Sequence, residues 1–183
     1  MDSLKGQLLV ANPKLPDENF YKSVVYILQH DEEGGFGVIL NRPSSFPLRE
    51  VWHAITENSC CSTESIYLGG PVEGPLLAIH DRLDCADEEI EGGIYLSNQK
   101  GSLGQLFGID EAQMRVFSGY SGWGSGQLEC EIAAGGWFQT PAEFEDVFLT
   151  DEDLWQKVAG RIGHRIVFQE QGGSVDRFDA SLN

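Results

Sequence analysis

Residues 23–30, SVVYILQH, are rich in β-branched and aromatic side chains and are apolar on both faces apart from Gln29 and His30. A strand with one wet face would alternate apolar with polar residues, so this pattern places the segment inside a sheet with cover on both sides. The turn-forming cluster DEEGG follows at 31–35 and leads into FGVIL at 36–40, which predicts a β-hairpin with a loop of about five residues. Cover for the central strand is expected from residues 47–58, where Leu48, Val51, Trp52 and Ile55 recur at helical spacing and Pro47 suits a first turn.

Shorter strands are expected at 7–11, 65–68, 76–80, 93–97 and 114–119. The acidic run 81–91 reads as a solvated connection between two of them. Helices are expected at 102–107, with Gly108 as the stop, and at 127–134. A last helix carries Leu154, Val158 and Ile162, starts at the capping-box-like residues 150–153 and ends at Gly163. Irregular interspersion of strands and helices gives an α+β class with a mixed, mostly antiparallel sheet, able to curl and packed by several helices. With 183 residues the chain fits one domain, 1–168, followed by a polar tail at 169–183.

Charge narrows the function classes. Twenty-nine acidic against 12 basic residues leave a net charge of −17. A phosphate backbone is attracted by clustered Lys and Arg, and no such cluster exists, so direct nucleic-acid binding is disfavoured. No apolar run approaches the ~18 residues of a membrane span, and no secretory h-region opens the chain, so a cytoplasmic protein with no membrane association is expected. The four cysteines, Cys60, Cys61, Cys85 and Cys130, lack zinc-ligand spacing and are expected to be reduced. Cys60 and Cys61 read as exposed loop thiols, with no basic neighbour to activate them.

Three features could carry chemistry. The segment 119–126, GYSGWGSG, holds four glycines in eight residues. It fits neither phosphate-cradle template nor the nucleophile elbow, and the acids Glu129 and Glu131 just behind it oppose a bound anion, so it reads first as a tight turn that lets Trp123 pack. His30-Asp31 and His80-Asp81 each end an apolar strand, and if those strands were neighbours an acid/base or metal cluster would result; polar residues ending strands at solvent is the plainer reading. Arg42, between Asn41 and Pro43, could bind a carboxylate or phosphate, or close the turn by a salt bridge.

Taken together, SVVYILQHDEEGGFGVILNRP (23–43), LGGPVE (68–73), GIYLS (93–97) and GYSGWGSGQLECEIAAGGWF (119–138) resemble the AlgH/YqgE family. The resemblance covers about residues 5–165 and implies an α+β fold whose bifurcated sheet folds into a pseudo-barrel. It brings a label, transcriptional regulator of alginate synthesis, but no established catalytic residues, and the acidic surface fits that label only if the action is indirect. The reading leans to a non-enzymatic binding or regulatory module with a protein or small-molecule partner. Its candidate cleft is formed by Asn41, Arg42, Trp123, Gln127 and Glu129, with His30 and His80 as further candidates and no cofactor or metal. The alternative is a hydrolase or metal-dependent enzyme using His30, His80 and nearby carboxylates.

Overall fold

The computed structural model describes residues 3–58, 60, 62, 64–148 and 153–170. Strands β1 (Gln7–Ala11), β2 (Val24–Asp31) and β3 (Gly34–Ile39) form an antiparallel meander. They are followed by β4 (Pro43–Pro47), α1 (Leu48–Thr56), β5 (Ser65–Leu68), β6 (Val72–His80), β7 (Glu88–Glu91) and β8 (Ile94–Ser97). The chain continues through α2 (Lys100–Leu106), β9 (Met114–Gly124), α3 (Gln127–Ala133), β10 (Trp137–Pro141), α4 (Phe144–Phe148) and α5 (Leu154–Glu170). All ten strands join one sheet in the order β10-β1-β2-β3-β9-β6-β8-β7, with β5 parallel beside β9 and β4 beside β5.

The sheet splits at β9. Its far half, Ser121 to Gly124, pairs with β3, whereas Phe117 and Ser118 pair with β5. Its other edge pairs with β6. Gly69 sits at the fork: its N–H donates to Ser118 O, and its carbonyl accepts from Ile39 N and from Ser121 Oγ. A Cβ at Gly69 would overlap the carbonyl oxygen of Gly119, so the Leu-Gly-Gly-Pro segment is glycine-rich because three backbones meet there.

Alternation along the strands sorts the core into three clusters. Val24, Tyr26 and Leu28 of β2 face Leu77, Ile79, Leu96 and Phe117 from the other half of the sheet, so the sheet curls into a half-barrel around them. Val147, Leu154, Val158 and Ile162 from α4 and α5 close that interior. Val25 and Ile27 point the other way, into a cluster with Trp123, Trp137 and Leu128 of α3. The outer face of β6, through Leu76 and Ala78, packs on α1 and α2. Each fully buried aliphatic side chain of this kind contributes about 1.5–3 kcal/mol.

The central strand is therefore covered on both faces, but not by the helix at 48–56. Leu48 and Trp52 of α1 are buried against Ile66, Leu76, Leu103 and Phe107, and Ile55 stays 44% exposed. The periodicity marks an amphipathic helix without saying which sheet face it meets.

Other segments also depart from expectation. The β2–β3 connection is a two-residue turn at Glu32 and Glu33, closed by Glu33 N–H donating to Asp31 Oδ1, because Gly34 and Gly35 enter the ladder opposite Gly124 and Trp123. Segment 119–124 continues β9 instead of forming a loop, with Gly119 close to the Val72 and Gly70 carbonyls and Gly122 close to the Tyr120 ring. The acidic run contains the edge strand β7, which turns Ile90 inward and its glutamates outward. Gly163 does not stop α5; a helical glycine costs only about 1 kcal/mol. Strands β4 and β10 and helix α4 had no expectation. Residues 150–152 of the capping-box motif, Cys61 and residues 171–183 of the tail lie outside the described residues, while Cys60 is half-buried.

Candidate ligand-binding site

At the β9–α3 corner, strand alternation turns Ser121 and Trp123 inward and leaves Gly122 and Gly124 exposed. The Trp123 and Trp137 rings meet edge to face with centroids 6.0 Å apart, and Phe20 packs on both. Both indole N–H groups donate to one oxygen of Glu131, at 3.0 Å from Trp123 and 2.8 Å from Trp137. The other Glu131 oxygen accepts from Gln127 Nε2 at 2.9 Å, while Gln127 Oε1 accepts from Gly124 N–H. One carboxylate thus satisfies two buried donors that would otherwise be costly, and it locks α3 onto β9 and β10.

Two residues before Glu131 on α3, Glu129 Oε1 lies 3.1 Å from His30 Nε2. His30 Nδ1 accepts the Leu4 N–H at 3.2 Å, which leaves the ring proton on Nε2, close to Glu129 but not aligned with it as a hydrogen bond. His30, Trp123, Gln127 and Glu129 therefore converge, as four of the residues singled out in the sequence, with Glu131 and Trp137 as members not anticipated.

The remaining candidates lie elsewhere. Asn41 is a backbone clamp, accepting from Val24 N at 2.9 Å and donating to Lys22 O at 2.7 Å. Arg42 follows it at the end of β3 remote from Gly34 and Gly35; burial lowers its guanidinium pKa while Asp17 acts the other way. His80 does not meet His30. His30 is level with Gly35 and, through it, Trp123, whereas His80 is opposite Met114. Those β9 positions are separated by roughly 30 Å of strand at ~3.3 Å per residue.

His80 is fully buried, and burial holds its pKa below the ordinary 6.5 although Asp81 and Asp87 pull upward. Its Nδ1 accepts from Arg82 N–H at 3.1 Å, so Nε2 donates to Ser97 Oγ at 2.8 Å, and Ser97 in turn donates to the Cys85 carbonyl. Both nitrogens of His80 are thus engaged within the framework, whereas His30 Nε2 is buried beside Glu129 without an aligned hydrogen bond. Among the described residues no three His, Cys, Asp or Glu side chains are grouped to hold a metal ion.

On the opposite face of the same strands a cleft of about 620 Å³ opens between the β2–β3 turn and β9. Gly34, Gly35 and Gly122 line it without side chains, and the Phe36 and Tyr120 rings meet there at 5.9 Å and 76°. Both rings pack against the interior of the half-barrel. Val72 and Pro75 form an apolar wall, and Asp31 and Glu33 supply carboxylates. A hydrogen bond from the Gln29 side chain, then one from Glu33 N–H, holds the Asp31 carboxyl below the usual carboxylate range. Trp123 touches this cleft from the strand whose other side carries its ring into the core.

Together these features define an α+β protein with a bifurcated, half-barrel sheet and an aromatic cleft at one end of its shared strand. The chain belongs to the AlgH-like family, whose pattern matches residues 8–167. A UPF0301 protein of Thermobifida fusca is 39% identical over 180 residues, spanning 91% of this chain and 90% of that protein. A UPF0301 protein of Xanthomonas campestris pv. campestris is 38% identical over 168 residues, spanning 87% and 89%. The solution structure of the AlgH protein from Pseudomonas aeruginosa superposes with a TM-score of 0.75 at 28% identity, covering 92% of this chain and 93% of that one. The crystal structure of protein DIP2367 from Corynebacterium diphtheriae gives 0.72 at 27% identity, covering 88% and 87%.

Proposed function

We propose that the protein is a non-enzymatic binding module that takes a small ligand with an aromatic or apolar body and an amine or other cationic end in the Phe36–Tyr120 cleft. The observation that carries this reading is the pairing of two offset rings with Asp31 and Glu33 in one glycine-lined cleft. Aromatic faces and nearby carboxylates both favour a desolvated cation. The Trp123–Glu131–Trp137 lock and the His30–Glu129 pair serve the cleft from behind, holding β9 in place rather than touching the ligand.

Regulation by such a module is indirect, through the ligand or a protein partner in the cytoplasm, since a net charge of −17 repels a nucleic-acid backbone. The alternative, hydrolytic or metal-dependent chemistry on His30 and His80, is weakened by their separation and by the engagement of His30 Nδ1 and both His80 ring nitrogens.

Native mass spectrometry of the protein purified from its own host tests the reading against Gly122→Leu, which places a side chain in the cleft. A retained small molecule in the wild type, lost from an equally folded variant, is expected. Equal retention, or none in either protein, contradicts it.

A further inference from the structure

Segment 3–6, just before β1, bridges β2 and β7, which the sheet order sets far apart and the curl brings together. On one side it is tied to the end of β2. Ser3 Oγ donates to His30 O at 2.9 Å, Leu4 N–H to His30 Nδ1 at 3.2 Å and Gly6 N–H to Ile27 O at 2.9 Å. On the other side Lys5 pairs with Glu88 of β7. Gly6, at φ +79°, lies so close to Glu91 that a Cβ there would overlap its carboxylate. The Leu4 side chain is buried with Ile27, Trp123 and Leu128. A cavity of about 400 Å³ lies beside this strap, between Leu4, His30 and the Ile132 and Ala133 side of α3.

Mild acid reaches the tie to His30, because imidazole is the side chain that changes charge between about pH 5 and 8. The closed strap needs a lone pair on Nδ1. Nε2 already carries the ring proton, so a second proton has to go to Nδ1, and two N–H donors would then face each other with no acceptor between them. Turning the ring over presents a carbon to Leu4 N–H and loses the bond as well. The charged groups around the ring are Glu129 of α3, 3.1 Å from Nε2, Asp31 beside it on β2, and Lys5 of the strap, which Glu88 draws away. Gly35 of β3 packs on the ring without a side chain, and β1 and β10 bring only the neutral Gln7 and Gln139 to the cavity. Glu129 is a counter-charge for an imidazolium whether the strap is closed or open. Leu4 N–H opposes the proton in the closed state alone, so proton uptake and strap release favour each other.

We propose that segment 3–6 is a pH-sensitive strap, closed over neutral His30 and released when Nδ1 takes a proton from solvent. Release breaks the Leu4 N–H bond to Nδ1 and leaves the Nε2 proton in place. It withdraws Leu4 from its apolar cluster, opens the adjoining cavity to solvent and frees the end of β2 from β7. The device does not depend on what the Phe36–Tyr120 cleft binds.

The test is an NMR titration of the full-length, isotope-labelled protein from about pH 8 to 5. The His30 ring signal, assigned by its loss in His30→Asn, reports the proton, and the amide signals and heteronuclear NOEs of Leu4 and Gly6 report the strap. In the wild type the strap amides should lose their rigid NOEs in step with His30 charging, while the amides of β6 and β9 stay unchanged. His30→Asn, whose Oδ1 takes the place of Nδ1 as a permanent acceptor, should keep the strap ordered throughout. Glu129→Gln removes the counter-charge and should move the release to lower pH by about 1. Leu4 and Gly6 that stay ordered after His30 has charged overturn the proposal, as does a His30 that stays neutral until the whole protein unfolds. Loosening of His30→Asn at the wild-type pH also overturns it, by assigning the release to another group such as Glu88. An unmoved release in Glu129→Gln overturns the part given to that carboxylate.

Discussion

His30 Nε2 faces Glu129 Oε1 at 3.1 Å, joining the last turn of the central strand to the helix that follows the glycine-rich half of β9. Leu4 N–H donates to the other ring nitrogen, while Nε2 is buried close to the carboxylate without an aligned hydrogen bond. Glu129→Ala removes the carboxylate beside this buried ring nitrogen and is expected to cost about 1–3 kcal/mol. Glu129→Gln keeps an acceptor and should cost less than about 1 kcal/mol. Urea unfolding of the two variants separates these outcomes, and equal losses would mean that the carboxylate charge, rather than an acceptor beside Nε2, matters.

Glu131 serves two indoles at once. Glu131→Ala should destabilise by about 2–4 kcal/mol, since each buried donor left unpaired costs about 1–3 kcal/mol. The same variant should change the tryptophan emission spectrum, because both rings lose their shared acceptor. An unchanged spectrum and stability would show that the two N–H groups find other partners.

Acid should weaken the fold through His80. Its folded-state pKa lies below 6.5, so as pH falls below 6.5 the unfolded chain binds a proton that the folded one resists. The His80 contribution to stability is therefore full above that value, declines below it and levels off beneath the depressed pKa. His80→Gln should flatten this part of the stability–pH curve; chemical denaturation between pH 7 and pH 5 measures it.

Asp146 is fully buried in α4, with Arg161 of α5 at 2.6 Å and Lys157 at 3.6 Å. Asp146→Ala strips a buried ion pair of one partner and should cost about 3–5 kcal/mol. Hydrogen exchange should show the loss first in α5, which docks on β1 partly through the Trp155 N–H to Ala11 O bond. Uniform loss across the sheet would show that α5 does not open separately.

Much of this fold can be read locally. The strands at 7–11 and 65–68 coincide with their expected bounds, because short apolar runs bounded by turn residues need no distant partner to be recognised. The landing place of α1 could not be read, since Leu48 and Trp52 carry a helical period but no address. Glycine misleads at 119–124, where the absent side chains make room for a forked sheet and the Tyr120 ring rather than for a turn.

In the candidate site, Trp123, Gln127 and Glu129 are near one another in the chain and stay so in space, and His30 joins them through β3. The role of Glu131 needs Trp137 to return on β10, and the burial of the Arg115 guanidinium between the Val147 and Leu40 carbonyls and the Tyr67 ring needs β3, β5 and α4 assembled around it. Those arrangements exist only in the folded chain.

The most direct test of ligand binding in the aromatic cleft is a titration of the labelled protein with phenethylamine, followed through backbone amide signals. The amides of Gly34, Gly35 and Gly122 should move together and saturate, and Gly122→Leu should abolish the response. Shifts spread over the acidic surface and reproduced by a simple monovalent salt, or no shifts at the three glycines, would contradict the proposed site.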